Sequence, residues 1–113
     1  MTRDVPVLRF GAVSVLHAIA SGHSFGFDII DATGLTSGTV YPTLERLEDL
    51  RLVRSAWEDP REARRDKRPP RRYFTLTTLG AETLAASLTR YKALKPVSLA
   101  AYGLKPARAT STS

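Results

Sequence analysis

The sequence predicts a mainly α-helical domain with a small β-hairpin, in the order α-α-α-β-β-α. Three observations lead to this fold class. Apolar residues recur at steps of three and four in three segments before residue 53. Two short segments, residues 53–58 (VRSAWE) and 72–77 (RYFTLT), alternate apolar and polar residues as half-buried antiparallel strands do. A further segment with apolar residues at helical spacing follows the second of these segments.

The first two helices are predicted from their stripes and end signals. The first is expected from about Pro6 to Ser21, because proline suits a first turn and Gly22 suits a stop. Its apolar stripe consists of Leu8, Val13, Leu16, Ile19 and Ala20. The second is short, from Phe25 to Thr33, and Gly34 is expected to close it.

The third helix is predicted within residues 35–53, which read LTSGTVYPTLERLEDLRLV. Its inward face is expected to carry Val40, Leu44, Leu47 and Leu50. Thr36 or Ser37 is expected to cap it, since a hydroxyl can accept a hydrogen bond from an exposed backbone N–H. Pro42 favours a start at that proline, because it removes a hydrogen bond and crowds the carbonyl of Gly38. Gly38 gives the turn extra freedom, so we favour the earlier start near Ser37.

The last helix is predicted from Thr77 or Thr78 to about Leu94, and Pro96 stops it. Ala81, Leu84, Leu88 and Tyr91 form its stripe. The core of one small domain is not expected to bury all three of the side chains of Leu84, Leu88 and Tyr91. A second copy of the chain is therefore predicted to cover them. The chain then divides into residues 1–77, a dimerisation helix at 78–95, and an extension at 96–113 whose end, ARATSTS, is expected to be disordered.

Charge is concentrated between the two predicted strands. The net charge of the chain is +6, and residues 54–72 hold eight basic and four acidic residues, a net charge of +4. Such a loop attracts polyanions, although a solvated loop that only aids solubility is the simpler alternative. A helix with small and hydroxyl residues at its tip, followed by a cationic loop between two strands, is the layout of a winged helix-turn-helix. This layout indicates double-stranded DNA as the partner.

Other classes of function are not supported. The chain has no cysteine, which excludes disulfides and cysteine-ligated zinc. The two histidines, His17 and His23, have no further ligand at a useful spacing, so neither a metal nor another cofactor is expected. No catalytic arrangement of side chains is apparent, and an enzyme is not expected. No membrane-spanning segment or signal peptide is apparent, so a cytoplasmic location is expected.

Three segments carry a resemblance to a known family: FGFDI (residues 25–29), LTSGTVYPTLERLEDLRLV (35–53) and RPPRRYFTLTTLG (68–80). Together they resemble the PadR-like transcriptional regulators over roughly residues 8–92. The chain departs from the family pattern at Phe25, where histidine is usual, at Ser37, where proline is frequent, and in its short C-terminal part.

The resemblance implies a homodimer, usually a repressor, in which residues 35–52 form the recognition helix and 53–77 the wing. It also implies that the last helix packs with the first helix across the dimer, and that small hydrophobic or aromatic effectors bind there. The dimer interface is then expected to include Leu8, Leu84, Leu88 and Tyr91.

The candidate DNA-binding residues form two groups. At the helix tip they are Ser37, Gly38, Thr39, Tyr41, Pro42 and Arg46. In the wing they are Arg64, Arg65, Lys67, Arg68, Arg71 and Arg72. The hydroxyls and free N–H groups suit phosphate oxygens, Gly38 permits close approach, and Arg46 can reach the backbone or a guanine edge. The wing cations suit phosphates or the minor groove.

Simpler roles remain open for several of these residues. Ser37 can be only a cap, Tyr41 only a packing residue, and Arg46 can be held by Glu45 or Asp49. Acidic residues interleaved in the wing favour a loop that is mobile without DNA. Trp57, the only tryptophan, is expected to pack against the wing or a helix edge rather than to stack on an effector. The alternative function is a protein-binding module that docks a partner through the last helix.

Overall fold

A computed structural model describes residues 6–104 and confirms the predicted fold class. The helices are α1 (Phe10–Ala20), α2 (Gly26–Thr33), α3 (Ser37–Asp49), α4 (Pro60–Arg65) and α5 (Thr78–Leu88). The strands are β1 (Val53–Trp57) and β2 (Arg72–Leu76), which form one antiparallel sheet. A single 3-10 turn, Ala100–Tyr102, follows among the described residues. No helix within residues 6–104 is both long enough and apolar enough to span a membrane.

Helix α1 begins at Phe10, so the predicted start near Pro6 is wrong. The preceding Arg9 has an extended backbone, and Leu8 lies outside the helix yet is buried. The Tyr91 hydroxyl donates a hydrogen bond to the Leu8 carbonyl at 3.0 Å. The Leu8 carbonyl thus has a hydrogen-bond partner although Leu8 lies outside the helix.

Helix α3 begins at Ser37 with Pro42 inside it, which agrees with the earlier start. The expected capping bond is absent among the described hydrogen bonds, because the Thr36 hydroxyl donates to Thr39 Oγ1 (3.2 Å) instead of accepting from the backbone. The prediction that Leu50 points inward is wrong, because it is 37% exposed. A left-handed residue, Arg51 (φ 62°), reverses the chain after the helix, and Leu52 enters the core in its place.

The sheet is tied to the helix-turn-helix as well as to itself. Its register pairs Val53 with Leu76 and Trp57 with Arg72. The backbone N–H of Phe74 donates to the Ser24 carbonyl at 2.7 Å, just before α2 begins. The wing therefore has a defined position relative to α2.

The wing contains a short helix that was not predicted. Helix α4 is capped by Asp59, whose carboxylate accepts from the backbone N–H of Arg61 at 2.8 Å, and Pro60 occupies its first turn. Ala63 is fully buried against the rest of the wing. This part of the wing is therefore helical, and the expected mobility without DNA stays a prediction.

Helix α5 ends at Leu88, six residues before the predicted end. Thr83 and Ser87 direct their hydroxyls back to carbonyls four residues earlier, at 2.8 and 2.7 Å, and Thr89 donates to the Ala86 carbonyl. After the helix the chain folds back, and the Nε2 nitrogen of His17 donates to the Lys95 carbonyl at 2.7 Å. The predicted disordered end lies outside the described residues.

The apolar stripe of α5 finds most of its cover within one chain. Leu84 is fully buried and Leu8 is 5% exposed, while Leu88 and Tyr91 are half-buried. The segment after α5 contributes to this cover, because Leu99 is buried in the same core. Leu8 and Leu84 therefore do not need a second copy to cover them, whereas the assignment of Leu88 and Tyr91 to a dimer interface stays a prediction.

Candidate nucleic-acid interface

The tip of α3 is open to solvent. Exposed positions include all of the predicted tip residues: Ser37, Gly38, Thr39, Tyr41, Pro42 and Arg46. The buried residues Val40, Leu44 and Leu47 hold the opposite side of the helix against the core. The helix thus presents hydroxyl, amide and guanidinium groups on its outer side.

Tyr41 has both a packing role and an exposed surface. It is 45% exposed, yet its ring lies against the first turn of α2. A Cβ atom added to Gly26 would lie 2.4 Å from the Tyr41 hydroxyl oxygen. Gly26 therefore makes room for the tyrosine, a role that the sequence does not reveal because the two residues are 15 positions apart.

Arg46 is available at the surface. It forms no ion pair with Glu45, Asp49 or any other described residue. The acidic residue of α3 that does hold an arginine is Glu48.

Arg72 ties the wing to α3. Its guanidinium donates to Glu48 Oε1 at 2.5 Å and to Ser55 Oγ at 3.0 Å. The Ser55 hydroxyl in turn donates to Glu48 Oε2 at 2.8 Å. This network gives Arg72 a positioning role between β2 and α3.

Arg68 closes the wing onto itself. It donates to both carboxylate oxygens of Glu58, at 2.6 and 2.7 Å, and the Glu58 side chain is only 7% exposed. The hydrogen bonds from Arg68 lower the pKa of Glu58 to about 2, assisted by the backbone N–H of Arg71. The same pairing raises the pKa of Arg68. Arg68 is therefore held at the base of the wing.

The other predicted wing cations are less constrained. Arg64, Arg65 and Lys67 are exposed and form no ion pair with another described residue. Arg71 lies with its guanidinium carbon 4.0 Å above the centroid of the Phe25 ring, a cation–π contact, and has no ion pair with a described carboxylate. The structure thus separates these four cations from Arg68 and Arg72.

A cleft of about 520 Å³ lies between the wing and the helix tip, and we call it the wing cleft. Its aromatic lining consists of Phe25, Phe27, Tyr41, Trp57 and Phe74. Its charged lining consists of Arg68, Arg71 and Arg72. Trp57 is 69% exposed, so the expectation that it packs against the wing or a helix edge is wrong.

Comparisons with known proteins agree with this architecture. The family model described as "Transcriptional regulator PadR-like family" matches residues 15–86. None of the curated proteins compared with the chain matches it significantly.

Several solved structures are similar to the chain. A PadR family transcription regulator from Clostridium difficile has a TM-score of 0.65 and 19% identity, covering 74% of this chain and 88% of its own. A PadR-like transcription factor from Bacteroides fragilis has a TM-score of 0.60 and 25% identity, covering 74% and 81%. ZitR from Lactococcus lactis, solved in complex with DNA, has a TM-score of 0.57 and 15% identity, covering 91% and 64%.

The family match spans residues 15–86, more than half of the 113-residue chain. Members of this family are transcription regulators and not enzymes. The chain belongs to the PadR-like family of transcriptional regulators.

Proposed function

We propose that the chain is a homodimeric repressor that binds a pseudo-palindromic operator in double-stranded DNA and is released by a small hydrophobic or aromatic effector. One observation carries the DNA-binding part of the proposal. Tyr41 of the recognition helix and Arg71 of the wing line the same cleft, so the helix tip and the wing face one side of the molecule. A surface that combines an exposed helix tip with adjacent cations suits the groove and backbone of a duplex.

The recognition helix is proposed to read the major groove with its N-terminal half. Ser37 and Thr39 offer hydroxyls at the exposed tip, and Gly38 has no side-chain atom that would keep the backbone from DNA. Arg46 forms no ion pair with a described residue and can reach a guanine edge or a phosphate. Glu45, also exposed on this helix, disfavours close phosphate approach to the later turns.

The wing is proposed to bind phosphates through its unconstrained cations. Arg64, Arg65 and Lys67 can adjust to the duplex because no described carboxylate holds them. Arg68 and Arg72 have a different part in the proposal, because their ion pairs with Glu58 and Glu48 set the angle of the wing. This division refines the expectation that all wing cations contact DNA directly.

The dimer and the effector remain proposals supported by the family and by exposed apolar surface. Val7 is 75% exposed and Phe10 is 44% exposed, at the start of α1, where Tyr91 also lies. Two copies joined there would place their recognition helices in successive major grooves, about 34 Å apart. The effector is proposed to bind near this interface, and the location is proposed to be cytoplasmic.

The test starts from operator sequences selected from genomic fragments and located by footprinting. Replacing Arg64, Arg65 and Lys67 together with glutamine should weaken binding to all sequences and reduce the salt slope by about 0.9 for each phosphate that is no longer neutralised. Arg90→Gln, an exposed cation after α5, is the matched control and should leave the slope unchanged. Fluorescence titration at several salt concentrations measures both, and an unchanged slope in the triple variant contradicts the proposed wing contacts.

A protein-binding module that uses the last helix is less well supported. Leu84, at the centre of its stripe, is fully buried within the chain, so α5 offers less apolar surface than the sequence indicates. A gel shift against the promoter next to the gene separates the two functions. Failure to shift any selected or promoter DNA would favour the protein-binding alternative.

A further inference from the structure

The two histidines of the chain flank the turn that ends α1. The backbone N–H of His23 donates to the Ala18 carbonyl at 2.9 Å, and that of Gly22 donates to the Ile19 carbonyl at 3.1 Å. Gly22 has a positive φ of 105°. These two bonds define a Schellman motif, in which the second residue after the cap commonly contacts a residue in the last turn of the helix. His23 and His17 hold those two positions, so the turn brings their side chains together.

Both imidazoles line one cavity of about 220 Å³ between α1, α2 and the segment after α5. His17 and His23 are half-buried, so ions can reach them from solvent. The lining also includes Ser14, which lies about one turn before His17 on the same face of α1. Ser14 is 7% exposed, and its hydroxyl has no hydrogen-bond partner within residues 6–104. A buried polar group normally has a partner, so this hydroxyl suits a ligand of the cavity or the water that such a ligand carries.

Each imidazole is oriented by a hydrogen bond from one of its two ring nitrogens. The Nε2 nitrogen of His17 donates to the Lys95 carbonyl at 2.7 Å, because a carbonyl oxygen can only accept. The Nδ1 nitrogen of His23 donates to Oδ1 of Asp28 at 3.0 Å. In a neutral imidazole the other nitrogen then carries a free lone pair. These lone pairs belong to Nδ1 of His17 and Nε2 of His23.

Histidines that bind metals in proteins are oriented in the same way. Their second ring N–H almost always donates to a carboxylate or a backbone carbonyl, which fixes the tautomer and the ring orientation. Two imidazole lone pairs suit Zn²⁺, Ni²⁺ or Cu²⁺, whereas Mg²⁺ and Ca²⁺ prefer oxygen ligands. No group of three or more histidine, cysteine, aspartate or glutamate side chains that could hold a metal occurs within residues 6–104. The protein therefore offers two ligands, and water completes the coordination.

From this arrangement we infer that the cavity at the end of α1 binds one divalent late transition-metal ion through Nδ1 of His17 and Nε2 of His23. Asp28 and the Lys95 carbonyl orient the two rings, and the Ser14 hydroxyl bonds a metal-bound water. The interval between the two histidines is not a spacing at which the sequence predicts a metal site, because their proximity comes from the turn. None of the residues that line the cavity belongs to the wing or to α3, so the inference does not depend on the proposed function.

The two histidines provide a direct test of the site in the full chain without a histidine tag. The imidazole resonances of both residues are followed by NMR as Zn²⁺ is added, with Mg²⁺ as the control of equal charge. We expect the resonances of His17 and His23 to shift together and to saturate at one equivalent of Zn²⁺, and to stay unchanged with Mg²⁺. A shift of only one histidine, or no saturable shift with Zn²⁺, overturns the inference.

Matched variants separate the ligands from the group that positions them. His17→Gln and His23→Gln should each abolish the shift of the remaining histidine at the Zn²⁺ concentration that saturates the wild type. Asp28→Asn should weaken Zn²⁺ binding about tenfold, because it removes the carboxylate that orients the His23 ring. Asp31→Asn removes an equal charge from the same helix, outside the cavity, and should leave the titration unchanged. Equal effects of Asp28→Asn and Asp31→Asn would show attraction by charge alone and would overturn the site.

Thermal unfolding measures the effect of the metal on the fold. An ion that binds the folded chain stabilises it, so Zn²⁺ should raise the Tm of the wild type and have a smaller effect on His17→Gln and His23→Gln. Unfolding of the same variants without metal checks that they are folded. An equal rise of Tm in the wild type and in both variants would place the bound metal elsewhere and would overturn the inference. Failure of the chain to bind DNA counts against the proposed function alone, because neither measurement uses DNA.

Discussion

Glu58 is an acidic residue in the most basic part of the chain, and it gives that part its shape. Its carboxylate accepts two bonds from Arg68 and one from the backbone N–H of Arg71 (3.2 Å). In the sequence, the four acidic residues of this segment favour mobility. In the structure, one of these acidic residues, Glu58, joins the two ends of the wing.

The lowered pKa of Glu58 predicts how this contact depends on pH. Its pKa is about 2 in the folded protein against an ordinary value of 4.5, so its stabilising contribution is complete above about pH 4.5 and is lost as the pH falls towards 2. The free energy of unfolding should therefore be lower for Glu58→Gln than for the wild type at pH 7, and the difference should shrink between pH 4.5 and 2. Urea denaturation at a series of pH values measures this difference.

The control for this pH series is Glu62→Gln, because Glu62 is an exposed acid of α4 with no ion pair among the described residues. It should differ little from the wild type at pH 7. A Glu58→Gln difference that is the same at pH 7 and pH 2 would contradict the assignment of the low pKa to the Arg68 contact.

Gly26 predicts a second effect at a single residue. In Gly26→Ala the new methyl group would lie less than 3.0 Å from Tyr41 ring and hydroxyl atoms, so the tyrosine must move. Because a tyrosine side chain can rotate, the fold should survive, while operator affinity should fall by about tenfold or less. Anisotropy titration measures the affinity, and thermal unfolding checks the fold.

A double variant tests whether Gly26 acts through Tyr41. Gly26→Ala combined with Tyr41→Ala should bind DNA no more weakly than Tyr41→Ala alone. Losses of affinity that add in full would indicate that Gly26 affects DNA binding by another route.

At the scale of the elements, close contact between the start of α5 and residues 51–52, which join α3 to β1, sets the position of the last helix. Thr77 caps α5 through the Gly80 backbone N–H at 3.0 Å, and its own hydroxyl donates to the Arg51 carbonyl at 2.6 Å. A Cβ atom on Gly80 would lie 1.9 Å from the Leu52 carbonyl oxygen. Backbone lies on both sides of this contact, so neither side can yield by a simple side-chain rotation.

Gly80→Ala should therefore lower the free energy of unfolding by about 2–3 kcal/mol, the cost of overpacking a closely packed site. Gly11→Ala makes the same chemical change inside α1, where a Cβ meets no heavy atom within 4 Å, and it should raise stability by about 0.5–1 kcal/mol. Chemical denaturation of both variants gives the comparison. Equal effects of the two substitutions would be inconsistent with a close contact at Gly80.

Helices whose ends are marked by nearby residues in the sequence were predicted well. Helix α2 ends at Gly34, which has the left-handed backbone (φ 73°) expected of a terminating glycine. Helix α4 was missed because three prolines and dense charge obscure a six-residue helix. The early end of α5 was missed because the apolar spacing continues through Leu88 and Tyr91, past the residue at which the helix ends.

At the scale of the whole molecule, the proposed dimer needs a surface other than the one that the α5 stripe indicated. Leu8 and Leu84 are already buried within one chain, whereas Val7 and Phe10 are exposed. Phe10 also makes an edge contact with Tyr91, with ring centroids 5.2 Å apart. Beside the α5 stripe, the apolar surface left for a second copy is therefore at the start of α1.

Sedimentation should show a dimer at micromolar concentration for the wild type. Phe10→Glu places a charge in the proposed interface and should shift the protein towards monomer. Phe27→Glu places the same charge on an exposed phenylalanine of the wing cleft and should leave the dimer intact. A wild-type monomer, or an equal response to both substitutions, would refute the proposed interface.

The sequence by itself determined the order of the elements apart from α4, the inward face of α3 through Val40, Leu44 and Leu47, and the exposed tip that resembles the PadR-like family. These features follow from spacing along the chain, because helical and strand periodicities act over a few residues. Only the tertiary structure decided which wing arginines are held and which are available. Arg72 meets Glu48 across 24 positions. Such pairs depend on how distant segments of the chain meet in space, and so does the cleft between the wing and the helix tip. Local periodicity carries no information about these contacts.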